Sequence, residues 1–202
     1  MKNVLRTCIL ALSAVAVANA ADEGPNEIIE SAVALFAEKL DGRREEFAAD
    51  RKALYAAIDE VLLPRFDTRF AAQIVLARHW RTATDEQRGR FIKAFYQALL
   101  RRYADGVIEF DQDRVRVLPY RGDATKSRTK VRSTVRLDSG SKISVDYELV
   151  KRKSGWLLFN VVIEGVSYVR NFRAEMNSEI RRTGLDAVIE RLEGEAGITH
   201  DE

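Results

Sequence analysis

The sequence has very few of the residues that cross-links, metal sites and thiol chemistry depend on. Its 202 residues include one cysteine, Cys8, and two histidines, His79 and His200. Neither histidine has a second ligand-type residue three or four positions away, the spacing that a helical metal site needs. A disulfide is therefore excluded, and the sequence indicates neither a metal centre nor a thiol nucleophile.

Catalytic and nucleotide-binding motifs are also missing. The sequence contains no G-x-S-x-G and no glycine-rich dinucleotide turn, and segment 122–127 lacks the glycine that precedes the lysine of a P-loop. A large excess of one charge sign is missing too, because the sequence has 33 Lys and Arg and 31 Asp and Glu. Non-specific nucleic-acid affinity comes from many cationic contacts to phosphate. We therefore expect no cofactor and no nucleic-acid partner.

The one long apolar run lies at the N-terminus. Two bases precede an apolar segment from Cys8 to Ala18, and Ala18-Asn19-Ala20 then forms an A-x-A cleavage site. This pattern predicts a secretory signal peptide over residues 1–20, cleaved after Ala20, and export of residues 21–202 to the periplasm. No other segment approaches the roughly 20 apolar residues that span a bilayer.

Apolar side chains at three-to-four-residue spacing predict a block of helices in the first half of the chain. Asn26 is expected to cap the first helix, a second helix runs to Pro64, and Asp67 caps a short third. The best-marked start is Thr84-Asp85-Glu86-Gln87, a capping box. The helix that follows has an apolar face broader than one neighbouring helix would cover. One stripe of this face consists of Phe91, Phe95, Leu99 and Tyr103, and the next of Ile92, Tyr96 and Leu100.

From Val107 the apolar period changes to two, which predicts a small antiparallel sheet. Strands on either side of Asp138-Ser139-Gly140 fit a three-residue hairpin loop that ends in a left-handed glycine. The register sets matched apolar pairs on the inner face and opposite charges on the outer face. These pairs are Val135 with Ile143 and Val131 with Tyr147 inside, and Arg132 with Asp146 and Lys130 with Glu148 outside.

The strand Trp156–Ile163 is apolar on both faces except at Asn160, so we expect it to be central and covered twice. Helices over about Tyr168–Arg182 and Asp186–Leu192 should close the chain, followed by a polar tail, Glu193–Glu202. The fold class is α+β, with N-terminal helices, an antiparallel sheet and C-terminal helices in one domain.

This amount of apolar surface fits either a filled core or a ligand cavity, and periodicity does not separate the two. Tyr147 points inward among aliphatic side chains, as a core tyrosine or as part of a cavity wall. The paired carboxylates Asp146 and Glu148 are expected to form exposed ion pairs rather than to act as acid and base.

Three stretches resemble one family, the MlaC proteins, which are periplasmic phospholipid shuttles of the Mla lipid-asymmetry pathway, also called toluene-tolerance auxiliary proteins. The stretches are Val75–Arg81 with the capping box and aromatic face that follow, Val145–Leu149, and Ile163–Ser167 leading to Asn171-Phe172-Arg173. The sequence departs from the family's usual residues at three positions. It has Ala77 for glycine, Asn160 for aspartate and Phe172 for tyrosine.

The resemblance implies an apolar lipid cavity enclosed by helices and sheet, and a carrier rather than an enzyme. Such a carrier shields acyl chains and shuttles phospholipid between an outer-membrane lipoprotein complex and an inner-membrane ABC transporter complex with a lipid-binding ring protein, which maintains outer-membrane lipid asymmetry. The residues expected to contact lipid lie on the broad helical face, the inner strand faces and the last helices. They are Phe91, Phe95, Leu99, Tyr103, Val131, Val135, Val145, Tyr147, Trp156, Val161 and Phe172.

The alternative is a cone-shaped α+β enzyme acting on a small hydrophobic substrate. Such an enzyme needs a histidine or a carboxylate of raised pKa inside its pocket. The inward strand positions offer Tyr147, Ser133 and Thr129 instead.

Overall fold

The structure is a computed structural model that describes residues 23–198. The predicted signal peptide, with Cys8, and the C-terminal His200 lie outside the described residues. No helix within 23–198 is both long and apolar enough to cross a membrane.

Helices form the first half of the described chain. They are α1 (Pro25–Leu40), α2 (Arg44–Ala49), α3 (Arg51–Leu62), α4 (Thr68–Leu76), α5 (His79–Thr82) and α6 (Asp85–Ile108), with 3-10 turns at Leu63–Arg65 and Gln112–Arg114. A sheet and two helices follow. They are β1 (Val115–Val117), β2 (Arg128–Arg136), β3 (Lys142–Arg152), β4 (Gly155–Ile163), β5 (Val166–Ser167), α7 (Tyr168–Thr183) and α8 (Leu185–Ala196). The α+β fold class is confirmed.

The helix starts depend on local side-chain caps, and two of the predicted caps are present. Asp67 accepts from the amide of Phe70 at 2.8 Å, and Thr84 and Gln87 form the reciprocal capping box at 3.1 and 2.9 Å. The cap of α1 is different from the prediction. Gly24 occupies that position, whereas the Asn26 side chain donates to the carbonyl of Leu118 at 3.1 Å.

The predicted second helix is in fact two helices, because Asp50 ends α2 and begins α3. Its carboxylate accepts from the amides of Lys52 and Ala53 at 2.9 and 3.2 Å. An aspartate offers the backbone this alternative to continuous helix. The short helix α5 was not predicted.

The sheet is antiparallel with strand order β1-β2-β3-β4-β5. The predicted hairpin register is confirmed at every predicted pair, and Gly140 has φ +82° in the loop. The predicted partners of the outer-face ion pairs are wrong. Lys130 reaches diagonally to Asp146 at 2.7 Å, and Glu148 accepts instead from Asn160 at 2.8 Å and from Arg170 at 3.4 Å.

The strand β4 is buried on both faces as predicted, but it is not central. The middle strand is β3, while β4 has only the two-residue β5 on its other side. The register of β4 against β3 skips Phe159. The ring of Phe159 packs edge-on against Phe70 of α4 at 5.0 Å between centroids. This bulge sets the direction of the β4 side chains near the candidate site.

The C-terminal segment is also more ordered than the predicted polar tail. The helix α8 continues to Ala196, and Glu193 is buried with its carboxylate bound by Arg90 of α6 at 2.7 and 2.9 Å. Charge-assisted bidentate pairing of this kind is what permits a buried carboxylate.

Candidate functional site

An apolar cavity of about 160 Å³ lies between α3, α6, β4 and the start of α7. Its walls are almost entirely aliphatic and aromatic. The lining residues are Ile58, Leu62, Phe66, Tyr96, Leu99, Leu100, Tyr103, Ala104, Val107, Leu158, Asn160, Val161, Tyr168 and Val169.

Exposure divides this lining into a floor and a rim. The floor consists of buried residues, which are Ile58, Phe66, Tyr96, Leu100, Ala104, Leu158, Asn160 and Val169. The rim consists of half-buried residues, which are Leu62, Leu99, Tyr103, Val107, Val161 and Tyr168. The cavity therefore opens to solvent between α3, the second half of α6, β4 and the first residue of α7.

The phenol of Tyr96 ties the floor to α3. Its hydroxyl donates to the carboxylate of Asp59 at 2.6 Å. Burial raises the pKa of Tyr96 above its usual value, and the hydrogen bond and the charge of Asp59 raise it further. The phenol thus stays protonated and its donor is fully used.

The amide of Asn160 is the other polar group of the floor, and it is also fully used. Its nitrogen donates to Glu148 at 2.8 Å and to the Ser167 hydroxyl at 2.9 Å. Its oxygen accepts from the Ser167 hydroxyl at 3.2 Å and from the amide of Val169 at 3.1 Å. An asparagine side chain has two N–H donors and two acceptor lone pairs, so none is left for a ligand.

Two aromatic rings form part of the rim. Tyr103 of α6 and Tyr168 of α7 stack with centroids 4.4 Å apart and planes 7° from parallel. Partial burial and then the neighbouring Tyr103 raise the pKa of Tyr168. The same two helices are joined nearby by Arg102, which binds Glu175 at 3.0 Å and covers the ring of Phe172. The rim on this side is therefore held at the α6–α7 contact.

Three of the predicted lipid-contacting residues line this cavity: Leu99, Tyr103 and Val161. Three others form a filled aromatic core between α6 and α7. The ring centroids of Phe91 and Phe95 lie 5.8 Å apart, and the rings of Phe95 and Phe172 pack edge-on with their centroids 5.3 Å apart. All three side chains are fully buried and do not line the cavity.

The remaining predicted residues lie on the inner sheet face towards α1. Val131 and Trp156 belong to a second apolar cluster with Ile28 and Ile29 of α1. Tyr147 packs against both this cluster and the main core, and Ser133 donates to its hydroxyl at 3.4 Å. Val145 is buried, and Val135 is half-buried between its partners Val115 and Ile143. Contact between these residues and a lipid stays a prediction.

Sequence reasoning missed much of the true lining, notably Phe66, Val107, Tyr168 and Val169. Ile58 and Leu62 were recognised as one apolar helix face but not as a wall. One local signal was available for Tyr168 and Val169, because Ser167 caps α7 by accepting from the amide of Arg170 at 3.2 Å. That cap places both residues at the first turn of a helix that leaves the sheet.

The chemistry of the lining is that of a binding site for apolar groups. Of the described residues that line the cavity, none is a histidine, a carboxylate or a cation. The carboxylates of Asp59 and Glu148 bind the lining residues Tyr96 and Asn160 without lining the cavity themselves. The fold and the site thus define an α+β protein with an apolar ligand cavity at the meeting point of its helices and its sheet.

Comparison with known proteins gives the family. The model of the family described as MlaC protein matches residues 30–194 of this chain. The chain therefore belongs to the MlaC family.

Two curated relatives and one solved structure are similar over most of their length. The toluene tolerance protein ttg2D of Pseudomonas putida is 26% identical over 96% of this chain and 92% of the relative. The intermembrane phospholipid transport system binding protein MlaC of Haemophilus influenzae is 20% identical over 87% of this chain and 84% of the relative. The phospholipid-binding protein of Ralstonia solanacearum, solved in complex with a phospholipid, matches with a TM-score of 0.77 at 23% identity. That match covers 87% of this chain and 98% of the other and shows a shared fold.

Proposed function

We propose that this protein is a periplasmic phospholipid carrier that is exported by the signal peptide over residues 1–20. In this proposal residues 21–202 act as one lipid-binding domain. The carrier shuttles lipid between an outer-membrane lipoprotein complex and an inner-membrane ABC transporter complex, and so maintains outer-membrane lipid asymmetry. The similarity to a binding protein of a phospholipid transport system and to a phospholipid-binding protein supports this role.

The observation that carries the proposal is an open apolar cavity whose floor has no uncommitted polar atom. Exposing an acyl chain to water costs about 0.8 kcal/mol per methylene. A water-filled apolar cavity is equally unfavourable, whereas alkyl chains need only dispersion contacts and exclusion from water. The floor of this cavity, with Tyr96 and Asn160 internally bonded, offers those conditions.

The cavity volume adds a requirement for loading. At about 160 Å³ it is smaller than the roughly 300–1,000 Å³ of sites that hold drug-sized ligands. Two acyl chains therefore require the walls to separate. The adjacent cluster of Val131, Leu149 and Trp156 under α1 lies on the same sheet face, with Tyr147 between cluster and cavity. We propose that this face takes up the remaining chain length.

The test is to identify what the protein carries. The full chain is produced in a bacterial host, purified from the periplasm without detergent, and studied by native mass spectrometry and lipid extraction. We expect a bound diacyl phospholipid and N-terminal sequencing that begins at Ala21. A folded protein that carries no lipid, and takes none from vesicles of phosphatidylethanolamine and phosphatidylglycerol, would contradict the proposal.

A matched pair of variants locates the bound lipid. Leu99→Asp places an unpaired charge on the cavity wall, which strongly disfavours an apolar ligand there. Lys93→Asp introduces the same side chain at an exposed position of the same helix. Loss of lipid in the first variant alone, with both folded by circular dichroism, assigns the lipid to this cavity.

A further inference from the structure

The rim of the cavity differs from its floor in one respect that matters for an amphipathic ligand. Its side chains are Leu62, Leu99, Val107 and Val161, together with Tyr103 and Tyr168. The two phenol hydroxyls are thus the only polar side-chain atoms of this rim. Within residues 23–198, neither hydroxyl has a hydrogen-bond partner.

The contrast with the floor is complete. On the floor the hydroxyl of Tyr96 donates a hydrogen bond to Asp59, and protein groups occupy all four hydrogen-bonding positions of the Asn160 side chain. A ligand that lies in the cavity therefore finds no donor until it reaches the rim. A phenol hydroxyl is both a donor and an acceptor, so each rim tyrosine has one proton to give.

The stack holds these two rings together. The rings are nearly parallel at 4.4 Å, which fixes their side chains relative to each other across α6 and α7. Tyr168 is also partly desolvated, a condition in which a hydrogen bond to a ligand contributes more than in open water. The two rings thus form a fixed pair at the boundary between an apolar cavity and solvent, and each bears a hydroxyl that has no partner among residues 23–198.

We propose that Tyr103 and Tyr168 are the polar anchor of the bound lipid, donating hydrogen bonds to ester or phosphodiester oxygens where the acyl chains join the headgroup. The lipid then lies with its chain ends on the floor, near Phe66 and Leu158, and with its headgroup outside the rim. The inference rests on the proposed function and extends it, because it assigns the residues that bind the polar junction of the lipid.

The test removes the hydroxyls but keeps the rings. The double variant Tyr103→Phe/Tyr168→Phe preserves the stack and the apolar lining. The matched control is Tyr55→Phe, which removes a phenol hydroxyl from a half-buried ring of α3 outside the cavity. Each protein is loaded with 1-palmitoyl-2-oleoyl phosphatidylglycerol from vesicles, and in parallel with n-decane, which has no polar atom.

We expect the loss of the two hydrogen bonds to weaken binding roughly tenfold, which corresponds to about 1.4 kcal/mol. We expect the double variant to lose phosphatidylglycerol to acceptor vesicles about ten times faster than the wild type and to retain decane equally well. The Tyr55 variant should match the wild type with both ligands. A diether analogue, which keeps the phosphate but lacks the ester carbonyls, identifies the lipid oxygen that accepts the hydrogen bonds. It stays sensitive to the double variant if that oxygen is on the phosphate and becomes insensitive if it is on the ester.

Two results would overturn the anchor. Unchanged release of phosphatidylglycerol from the double variant would mean that the hydroxyls do not bind it, and equal loss of lipid and decane would mean that the substitutions only change the cavity shape. Wild-type protein that binds neither probe is a different failure, because it refutes the proposed function itself and the anchor with it.

Discussion

Ala77 has a backbone conformation that is poorly suited to a residue with a side chain. It ends α4 with φ +50° and ψ −114°, a region in which glycine is favoured because it has no Cβ to clash. The amide of Ala77 still donates to Gln73 at 3.0 Å, so the chain is held in this conformation by the helix it terminates. The sequence resemblance gave glycine as the usual residue at this position, and the backbone angles supply the physical reason.

Substitution of Ala77 by glycine should therefore stabilise the protein. A non-glycine residue in such a region lowers the stability of the folded state by about 1–3 kcal/mol. Glycine offsets about 0.4–1 kcal/mol of this gain, because it gives the unfolded chain more conformational freedom. We expect Ala77→Gly to raise the free energy of unfolding by about 1 kcal/mol, measured by urea denaturation. The observation would be a higher midpoint with an unchanged slope.

The control is the same substitution at a position of ordinary helical geometry. Ala56 is exposed within α3, where glycine costs about 1 kcal/mol relative to alanine. The two variants should therefore shift the midpoint in opposite directions. A lower midpoint for Ala77→Gly would mean that the alanine methyl contributes packing that exceeds the strain.

At the scale of elements, the inner face of the sheet has two differently covered parts. The part formed by β2, β3 and Trp156 at the start of β4 is covered by α1 through Ile28 and Ile29, whereas the later part of β4 borders the cavity through Leu158 and Val161. The outer face has the charged side chains of β2. Any lipid should therefore contact one face of the sheet only.

Photo-crosslinking distinguishes these surfaces. A photoreactive residue at Leu99 or Val161, which line the cavity, should label bound phospholipid. One at Val131 should label lipid only if the chains extend under α1, and one at the exposed Arg132 should not label it. Mass spectrometry of the crosslinked peptide is the measurement, and labelling of Arg132 as strong as that of Val161 would refute the one-sided arrangement.

The hairpin of β2 and β3 was predictable because its determinants are local. Alternating apolar residues fix which face each side chain takes, and the three-residue loop that ends at Gly140 fixes the pairing. The break at Asp50 was missed because the apolar spacing continues across it, although its carboxylate caps the next helix. Local patterns specify such elements but not the alternative hydrogen bonds of one side chain.

The cavity itself was only partly predictable, for a different reason. Phe91 and Phe95 belong to the same apolar stripe of α6 as Leu99 and Tyr103, but both are fully buried, and Phe172 packs edge-on against Phe95. The space beside Leu99 and Tyr103 stays open because α3, β4 and α7 meet there without filling it. Whether an apolar face is packed or lines a cavity depends on distant elements, and periodicity along one helix contains no information about them.

At the scale of the whole molecule, the hairpin segment is basic, with nine Lys and Arg against three Asp and Glu between Lys126 and Lys153. Several of these cations are paired. Arg152 binds Asp67 at 2.6 Å, and Arg128 lies over the Phe70 ring at 4.9 Å. Arg136 and Lys142 are different, because they are exposed and face each other directly across the hairpin. Like charges in that position destabilise a strand pair, so we propose that they serve docking to an anionic surface.

The docking proposal predicts an effect on rate rather than on binding or folding. Complementary charge accelerates encounter and is weakened by salt, because the Debye length falls from about 30 Å at 0.01 M to about 8 Å at 0.15 M. The double reversal Arg136→Glu/Lys142→Glu should slow lipid transfer to acceptor vesicles that contain phosphatidylglycerol by about tenfold at low salt. The difference from wild type should shrink at 0.5 M salt, and bound lipid and unfolding midpoint should stay unchanged.

The control for this variant must change net charge equally without touching the sheet. Arg181 and Arg182 are exposed in the last turn of α7, and their reversal to glutamate makes the same charge change elsewhere. If the position of the charge matters, only the sheet variant loses its low-salt rate. If both variants slow transfer equally, net charge alone governs the encounter. If the sheet variant transfers at the wild-type rate at low salt, Arg136 and Lys142 do not form a docking surface, and the like-charge pair lies in the hairpin without a role in transfer.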